Sequence, residues 1–282
     1  MKGVNMLKVE LAKLKDYRTI RNLMTKSRTK DFRFYSDYNG NILLNILALN
    51  CYKIFYFDSL IGIFLKLDYK KQVLYIPFDD KNVTLQDIVS LLYNYFGLGY
   101  SFDFFYKGIL DFNISYAKIK RNYKVMYLNL SNYKHTSDSF NGLYVQKMQI
   151  NKEEKIRVEL QNKIFSNNLD RRELTLKEIL QEEKRKEFIE DLCYFLKYND
   201  EYIGYGQIIN SSEGFYLINF GIIPEFRGKG YAKYFLNQLI LKAKEFGVKD
   251  LYLKVENNNE KAINLYKKIG FIEVFNVASL VI

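Results

Sequence analysis

The 282-residue sequence contains one histidine and two cysteines, and each scarcity closes off a class of chemistry. Cys51 and Cys193 alone exclude a disulfide framework and any multi-cysteine metal site, and both read as buried, inert thiols. His135 alone excludes a histidine-rich zinc centre, and a Ser-His-Asp triad would have to run through it. Its setting, Lys134-His135-Thr136-Ser137-Asp138-Ser139, reads as a polar connector. No metal is therefore expected, and the chemistry must rest on carboxylates, tyrosines, backbone amides or an organic cofactor. Long apolar runs are also lacking. The richest stretch, Asn41 to Phe57, is interrupted by Asn45, Asn50 and Lys53, well short of the roughly 18 uninterrupted apolar residues of a membrane helix. Met1 to Glu10 has neither the apolar core nor the small-residue cleavage site of a signal peptide, so a cytoplasmic location is expected.

What is present is the composition of a folded chain, 48% apolar and 27% charged, at a length that suits two domains. The formal charge of +11 is uneven: residues 1–150 carry 22 Lys+Arg against 12 Asp+Glu, a net +10, leaving 21 against 20 for residues 151–282. Such asymmetry suits a polyanion such as nucleic acid. No run of five basic residues occurs, however, and a Lys, Asn, Ile and Tyr bias spread over the chain accounts for it more simply.

One pattern occurs twice. Cys51-Tyr-Lys-Ile-Phe-Tyr-Phe-Asp-Ser-Leu-Ile-Gly62 and Cys193-Tyr-Phe-Leu-Lys-Tyr-Asn-Asp-Glu-Tyr-Ile-Gly204 align without a gap, with Cys, Tyr, Tyr, Asp, Ile and Gly identical. Each reads as a strand, a tight turn at Asp58 or Asp200, and a second strand. A third apolar run follows each, Val73 to Pro77 and Phe215 to Pro224, and then a helix, Thr84 to Phe96 and Ala232 to Phe246. A strand-then-helix segment precedes each meander, Leu7 to Met24 and Leu143 to Phe165. This order predicts an α+β protein of two similar domains, each a mixed, mostly antiparallel sheet flanked by helices. The polar stretch Ser131 to Asn141 sets the expected boundary, giving residues 1–140 and 141–282.

The chemistry concentrates after the third strand of the second copy, where Arg227-Gly-Lys-Gly-Tyr-Ala232 opens an amphipathic helix. Free amides and the helix dipole converge at such a turn and suit a phosphate or pyrophosphate. Gly228 and Gly230 allow close approach of the backbone, while Arg227 and Lys229 add charge. The turn is not a Walker loop, and the dinucleotide glycine pattern is broken by Lys233.

The segment resembles the Arg/Gln-x-x-Gly-x-Gly/Ala signature of Gcn5-related N-acetyltransferases (GNAT), here Arg227-x-x-Gly230-x-Ala232 after Ile-Ile-Pro224. Downstream, Asn259-Glu-Lys-Ala262-Ile-Asn-Leu265-Tyr266-Lys-Lys-Ile-Gly270-Phe271 is similar to that family's next helix and strand. The likeness covers residues 142 to 282 well, and only the strand-helix outline of residues 1 to 130. It implies a tandem GNAT-like protein that transfers an acetyl group from acetyl-CoA to a primary amine by direct attack. Backbone groups of Ile222 and Ile223 would pair with the pantetheine arm, and the amides of Arg227, Gly228, Lys229, Gly230, Tyr231 and Ala232 would hold the pyrophosphate. Asn259 would contact the cofactor arm, a role compatible with capping its helix, and Tyr266 would protonate the departing thiolate. The general base stays open among Glu213, Glu225, Glu187 and a water chain, and the oligomeric state between monomer and dimer. The first copy reads Phe78-Asp-Asp-Lys-Asn-Val-Thr84 at the corresponding loop, with no glycine, and so looks like a degenerate copy without a CoA site. Two other readings stand beside the enzyme: a non-catalytic CoA-binding module, and an aminoacyl-tRNA-dependent transferase of tandem GNAT fold that the basic first half would suit.

Overall fold

The computed structural model describes residues 6–27, 34–36, 38, 40–79, 81–108, 110, 113–131, 133–134, 139–166, 172–211 and 213–282. His135 and Asp80 lie outside the described residues. The chain forms two compact units, one of residues 1–124 with 275–282 and one of residues 125–274.

The first unit contains β1 (Leu7–Leu11), α1 (Tyr17–Ser27), β2 (Phe34–Tyr35), α2 (Ile42–Leu47), β3 (Cys51–Tyr56), β4 (Ser59–Leu67), β5 (Gln72–Pro77), α3 (Leu85–Phe96), β6 (Ser101–Tyr106) and the start of β7 (Lys118–Asn129). Its sheet runs β1-β3-β4-β5-β6 and is completed by the end of the chain, β13 (Ile272–Val281), whose residues 276–281 pair antiparallel with β6. Both faces of this sheet are covered, so its strands are apolar throughout rather than alternating. Phe64, Val73, Tyr75, Phe102 and Leu280 pack on the side of α3, whereas Ile63, Leu65, Leu74 and Ile76 pack on the side of α1 and α2. Successive residues of one strand thus serve opposite faces.

The second unit contains the end of β7, β8 (Leu143–Lys147), α4 (Glu154–Ile164), α5 (Leu176–Glu182), β9 (Cys193–Tyr198), β10 (Glu201–Ser211), β11 (Gly214–Ile222), α6 (Tyr231–Glu245), β12 (Asp250–Glu256), α7 (Glu260–Ile269) and the start of β13. Its sheet runs β8-β9-β10-β11-β12-β7. Phe195, Tyr205, Phe235, Leu236, Ile240 and Leu251 form the centre of its core. Cys51 and Cys193 are buried, one in each unit, and burial pushes both thiols up to about 12, as expected of inert residues.

The repeated sequence pattern has a structural reason. In each copy the Asp lies in the turn of an antiparallel hairpin, and Asn199 and Asp200 take the left-handed conformation of a two-residue turn. The glycine follows because the neighbouring strand approaches too closely for a side chain. A Cβ on Gly62 would lie 2.9 Å from the Ile76 carbonyl oxygen, and one on Gly204 would lie 3.0 Å from that of Gly221.

The compact units divide elsewhere than at the polar stretch before residue 141. Strand pairing, not connector polarity, assigns the flanking segments. Met126, Leu128 and Leu130 belong to the core of the second unit, where Leu130 N–H donates to the Lys249 carbonyl at 2.8 Å. Ala278 and Leu280 belong to the core of the first. The first unit therefore completes its sheet with a strand from the far end of the chain, and the second with residues that precede the polar stretch.

Candidate active site

The site of the second unit begins where two parallel strands separate. β11 and β12 pair only through Phe215–Leu217 and Leu251–Leu253. Just beyond, Asn219 has a left-handed φ of 53° and the register against β10 slips between Tyr205 and Gln207. An extra residue in one strand bends it, and here the bend carries β11 away from β12.

Beyond the bulge, alternation decides which backbone groups face the gap. Ile223 N–H donates to Ile203 on β10 at 2.9 Å, and its carbonyl accepts from Phe226 at 3.1 Å. Hydrogen-bonded pairs recur every second residue of an antiparallel ladder, so Gly221 also faces β10 while Phe220 and Ile222 face the gap. The expectation for Ile223 is corrected accordingly: both its backbone groups are occupied, and of the pair only the Ile222 N–H is available from the β12 side, because the Ile222 carbonyl accepts from Arg227.

The loop after β11 turns at Pro224–Phe226 and enters α6 through Gly228 and Gly230, both left-handed at φ 80° and 82°. Among the described residues the amides of Gly228, Lys229, Gly230, Tyr231 and Ala232 donate to no backbone carbonyl, and Gly230 supplies no side-chain cap. That leaves a bare helix start of the kind that receives an anion. Space allows it, since a Cβ on Gly228 would meet nothing within 4 Å. The Phe140 ring stands over Gly230 and meets Tyr231 edge-on at 5.2 Å.

Arg227 departs from its expected part. Its amide closes the turn onto Pro224 at 3.2 Å. Its guanidinium donates through Nε to the Ile222 carbonyl at 2.8 Å and through one terminal nitrogen to the Ile164 carbonyl at the end of α4 at 2.6 Å. Arg227 thus fastens the loop to β11 and α4 instead of presenting a charge to the turn. Lys229 Nζ rests over the Phe226 ring at 4.9 Å, on the loop itself.

Tyr266 sits on the buried face of α7 with Ile263 and Ile269, and its ring lies 6.4 Å from Phe220 and 5.8 Å from Phe271. It is brought to the strand whose backbone lines the gap. Burial alone pushes its hydroxyl well above the ordinary tyrosine range, so it holds its proton through neutral pH. The Asn259 side chain accepts from Ala262 N–H at 3.2 Å, so it caps α7. Glu213 is remote in role: it accepts from Tyr216 and pairs with Lys254 at the far end of β11.

A second polar group at the bulge escaped the sequence reading. Arg157 on α4 is fully buried and contacts Glu182 at 2.6 Å, Glu183 at 3.3 Å and Gln207 at 2.9 Å, with its guanidinium over the Tyr205 ring at 5.0 Å. Asn219 Nδ2 reaches Gln207 Oε1 at 3.4 Å. The available signal was periodicity. Arg157, Leu160 and Ile164 recur at helical spacing and share the buried face of α4.

The corresponding place in the first unit is built differently. β5 and β6 also pair only at their starts, Gln72–Val73 with Ser101–Phe102. Here the chain fills the opening itself. β2 pairs with Phe105 and Tyr106 of β6, Ser36 N–H donates to the Tyr75 carbonyl at 2.8 Å, and Tyr75 N–H donates to Ser36 Oγ at 3.2 Å. After β5 the amides of Phe78 and Asp79 both donate to Ile61, and the start of α3 is closed by a Thr84–Asp87 capping box. The helix start there thus carries a side-chain cap, where that of α6 has none. The described residues hold no cluster of three or more His, Cys, Asp or Glu that could bind a metal, and no helix long and apolar enough to cross a membrane.

Comparison with known proteins agrees with this geometry. Residues 159–271 match the acetyltransferase (GNAT) family. A [ribosomal protein bS18]-alanine N-acetyltransferase of Haemophilus influenzae is 38% identical over 76 residues, 27% of this chain and 51% of that protein. A mycothiol acetyltransferase of Propionibacterium freudenreichii is 39% identical over 51 residues, 18% of this chain and 16% of that protein. The chain thus spans about half the length, or less, of these curated relatives. Among solved structures, a GCN5-related N-acetyltransferase of Sphaerobacter thermophilus superposes over 98% of this chain and 95% of its own, with a TM-score of 0.63 at 11% identity. A GNAT-family acetyltransferase of Colwellia psychrerythraea covers 97% of this chain and 99% of its own, with a TM-score of 0.53 at 15% identity. From the sheet that parts at Asn219 to the glycine turn at Gly228–Gly230 and the tyrosine of α7, residues 159–271 are similar to the acetyltransferase (GNAT) family, and the chain shares the fold of its solved members.

Proposed function

We propose that the protein is an N-acetyltransferase that moves an acetyl group from acetyl-CoA to a primary amine, with one working site, in the second unit. The observation that carries the reading is the alignment of three features on one gap: a strand edge with the Ile222 N–H open, a bare helix start at Gly228–Ala232, and the protonated hydroxyl of Tyr266. When bound, acetyl-CoA supplies an acetyl thioester that an amine can attack directly.

The residues present fit such a group. The amides of Gly228 to Ala232 bind its pyrophosphate, and the N–H of Ile222 pairs with the amide-bearing arm as a further strand would. Arg227 holds the loop and the strand edge in register through the Ile222 and Ile164 carbonyls. Tyr266 holds a proton at its hydroxyl oxygen for the leaving thiolate. Asn259 keeps α7, and with it Tyr266, in place by capping. The first unit is read as a second copy of the fold whose own gap is closed by Phe34–Ser36, which supports a single cofactor per chain.

Incubation of the full chain with labelled acetyl-CoA and pooled primary amines tests the activity. Label appearing on an amine at a rate that falls in Tyr266→Phe supports it. Retention of all label on the thioester, with CoA still bound, would assign the domain to binding without turnover.

A further inference from the structure

The polar cluster at the β11 bulge contains more negative than positive groups. Arg157 is fully buried, and its terminal nitrogens reach two carboxylates, Glu182 Oε1 at 2.6 Å and Glu183 Oε1 at 3.3 Å. Gln207, also fully buried, donates to the same Glu182 oxygen at 2.9 Å and accepts from Arg157 at 2.9 Å. Glu182 is thus fixed through Oε1, while Oε2 has no partner among the described residues. With 22% of its side chain exposed, against 8% for Glu183 and none for Arg157, it is the open member of the cluster.

One guanidinium facing two partly buried carboxylates leaves a negative charge unmatched, which is unfavourable unless a proton or a cation meets it. The groups around Glu183 agree: burial raises its pKa, Arg157 pulls it down, and Glu154 and Glu182 push it up. The cluster lies where β11 leaves β12, since Gln207 is opposite Ile218 and accepts from the neighbouring Asn219.

We propose that Glu182 is a specificity-determining residue, whose free Oε2 receives a positively charged group of the acceptor, and that the acceptors are amines carrying a second cationic centre. Arg157 and Gln207 are positioning residues that hold Oε1 so that Oε2 keeps one direction. The proposal rests on the β11–β12 gap being the transfer site.

Calorimetry on the full chain tests it in two stages. The first titration, with CoA alone, examines the underlying site, and a chain that binds no CoA removes that reading and this proposal with it. The second adds amines of one length to the CoA-saturated protein: 1,4-diaminobutane, 1-aminobutane and 4-aminobutanoate. The diamine is expected to bind about tenfold or more tightly than the monoamine, a difference of about 1.4 kcal/mol, with the carboxylate-bearing amine weakest. In Glu182→Gln, which keeps shape and removes charge, the preference should vanish while CoA affinity stays within about twofold. Should that variant lose its fold, the order of the three amines on the parent chain decides. Equal affinity for all three, or a diamine preference that survives in folded Glu182→Gln with CoA still bound, overturns the assignment.

Discussion

The guanidinium of Arg227 donates to the carbonyl oxygen of Ile222 at 2.8 Å, which ties the glycine turn to the last residue of β11. The glycine turn and the edge of β11 are thereby set at a fixed separation.

This contact separates two roles for a basic residue in the turn. Were Arg227 a point charge for phosphate, Arg227→Lys would serve nearly as well. Because its fork joins two carbonyls on different elements, lysine cannot replace it. Hydrogen bonds from charged groups are worth about 1.5–3 kcal/mol each, so Arg227→Lys is expected to weaken CoA binding by about ten- to a hundredfold, read by calorimetry. An unchanged dissociation constant in the lysine variant would return Arg227 to a purely electrostatic part.

Tyr266→Phe removes a hydroxyl that has no hydrogen-bond partner among the described residues and leaves the ring in the core. Stability and CoA affinity should change little. Turnover should fall by about 10²–10⁴-fold, the usual worth of a positioned acid. The sign of the pH effect follows from burial. A raised hydroxyl pKa keeps the acid protonated up to and beyond pH 10, so the parent rate should show no alkaline loss from this group below that pH. An alkaline limb between pH 8 and about 10 that disappears in Tyr266→Phe would contradict the assignment.

The duplicated hairpin, the α6 and α7 helices and the glycine turn were all legible in the sequence, because each is local. A Tyr-Ile-Gly strand, a helical repeat of Phe235, Leu236, Leu239 and Ile240, and a Gly-x-Gly turn announce themselves within a few residues. What escaped depends on contacts between distant residues. Nothing local shows that Met126, Leu128 and Leu130 complete one core and Ala278 and Leu280 the other, or that two residues at Phe34–Tyr35 suffice to close a gap. Ile223 and Arg227 were placed correctly along the chain, and their partners, Ile203, Phe226 and the carbonyls of Ile222 and Ile164, were not visible from it. Arg157 was passed over because charge usually marks a solvated face, although its helical spacing put it inward.

The strand assignment makes a prediction for fragments. A chain beginning at residue 141 lacks Met126, Leu128 and Leu130, whose burial is worth about 1.5–3 kcal/mol each. That is comparable with the whole stability of a typical domain, about 5–15 kcal/mol. Residues 125–274 should give a cooperative unfolding transition by circular dichroism, and residues 141–274 should not. A cooperative transition of equal midpoint in both fragments would show that the β7 segment is dispensable.

Ser36 predicts a change of stability without a change of ligand binding. Its hydroxyl accepts from Tyr75 N–H, so Ser36→Ala removes that buried hydrogen bond at a cost of about 0.5–1.5 kcal/mol. Urea denaturation should register the loss while CoA affinity is preserved. A stable Ser36→Ala protein would mean that the hydroxyl adds nothing to the backbone bonds of β2 with β6 and of Ser36 with Tyr75.

Titration of the full chain with CoA tests the central claim most directly, by its stoichiometry and by its response to Gly230→Asp. Gly230 has a left-handed backbone at φ 82°, and a Cβ there would lie 3.3 Å from the Phe140 ring, so aspartate brings backbone strain together with a negative charge at the helix start. The account predicts one CoA per chain in the parent and a loss of affinity of at least a hundredfold in a Gly230→Asp protein that still unfolds cooperatively. Two CoA molecules per chain, or undiminished binding in that variant, would contradict it.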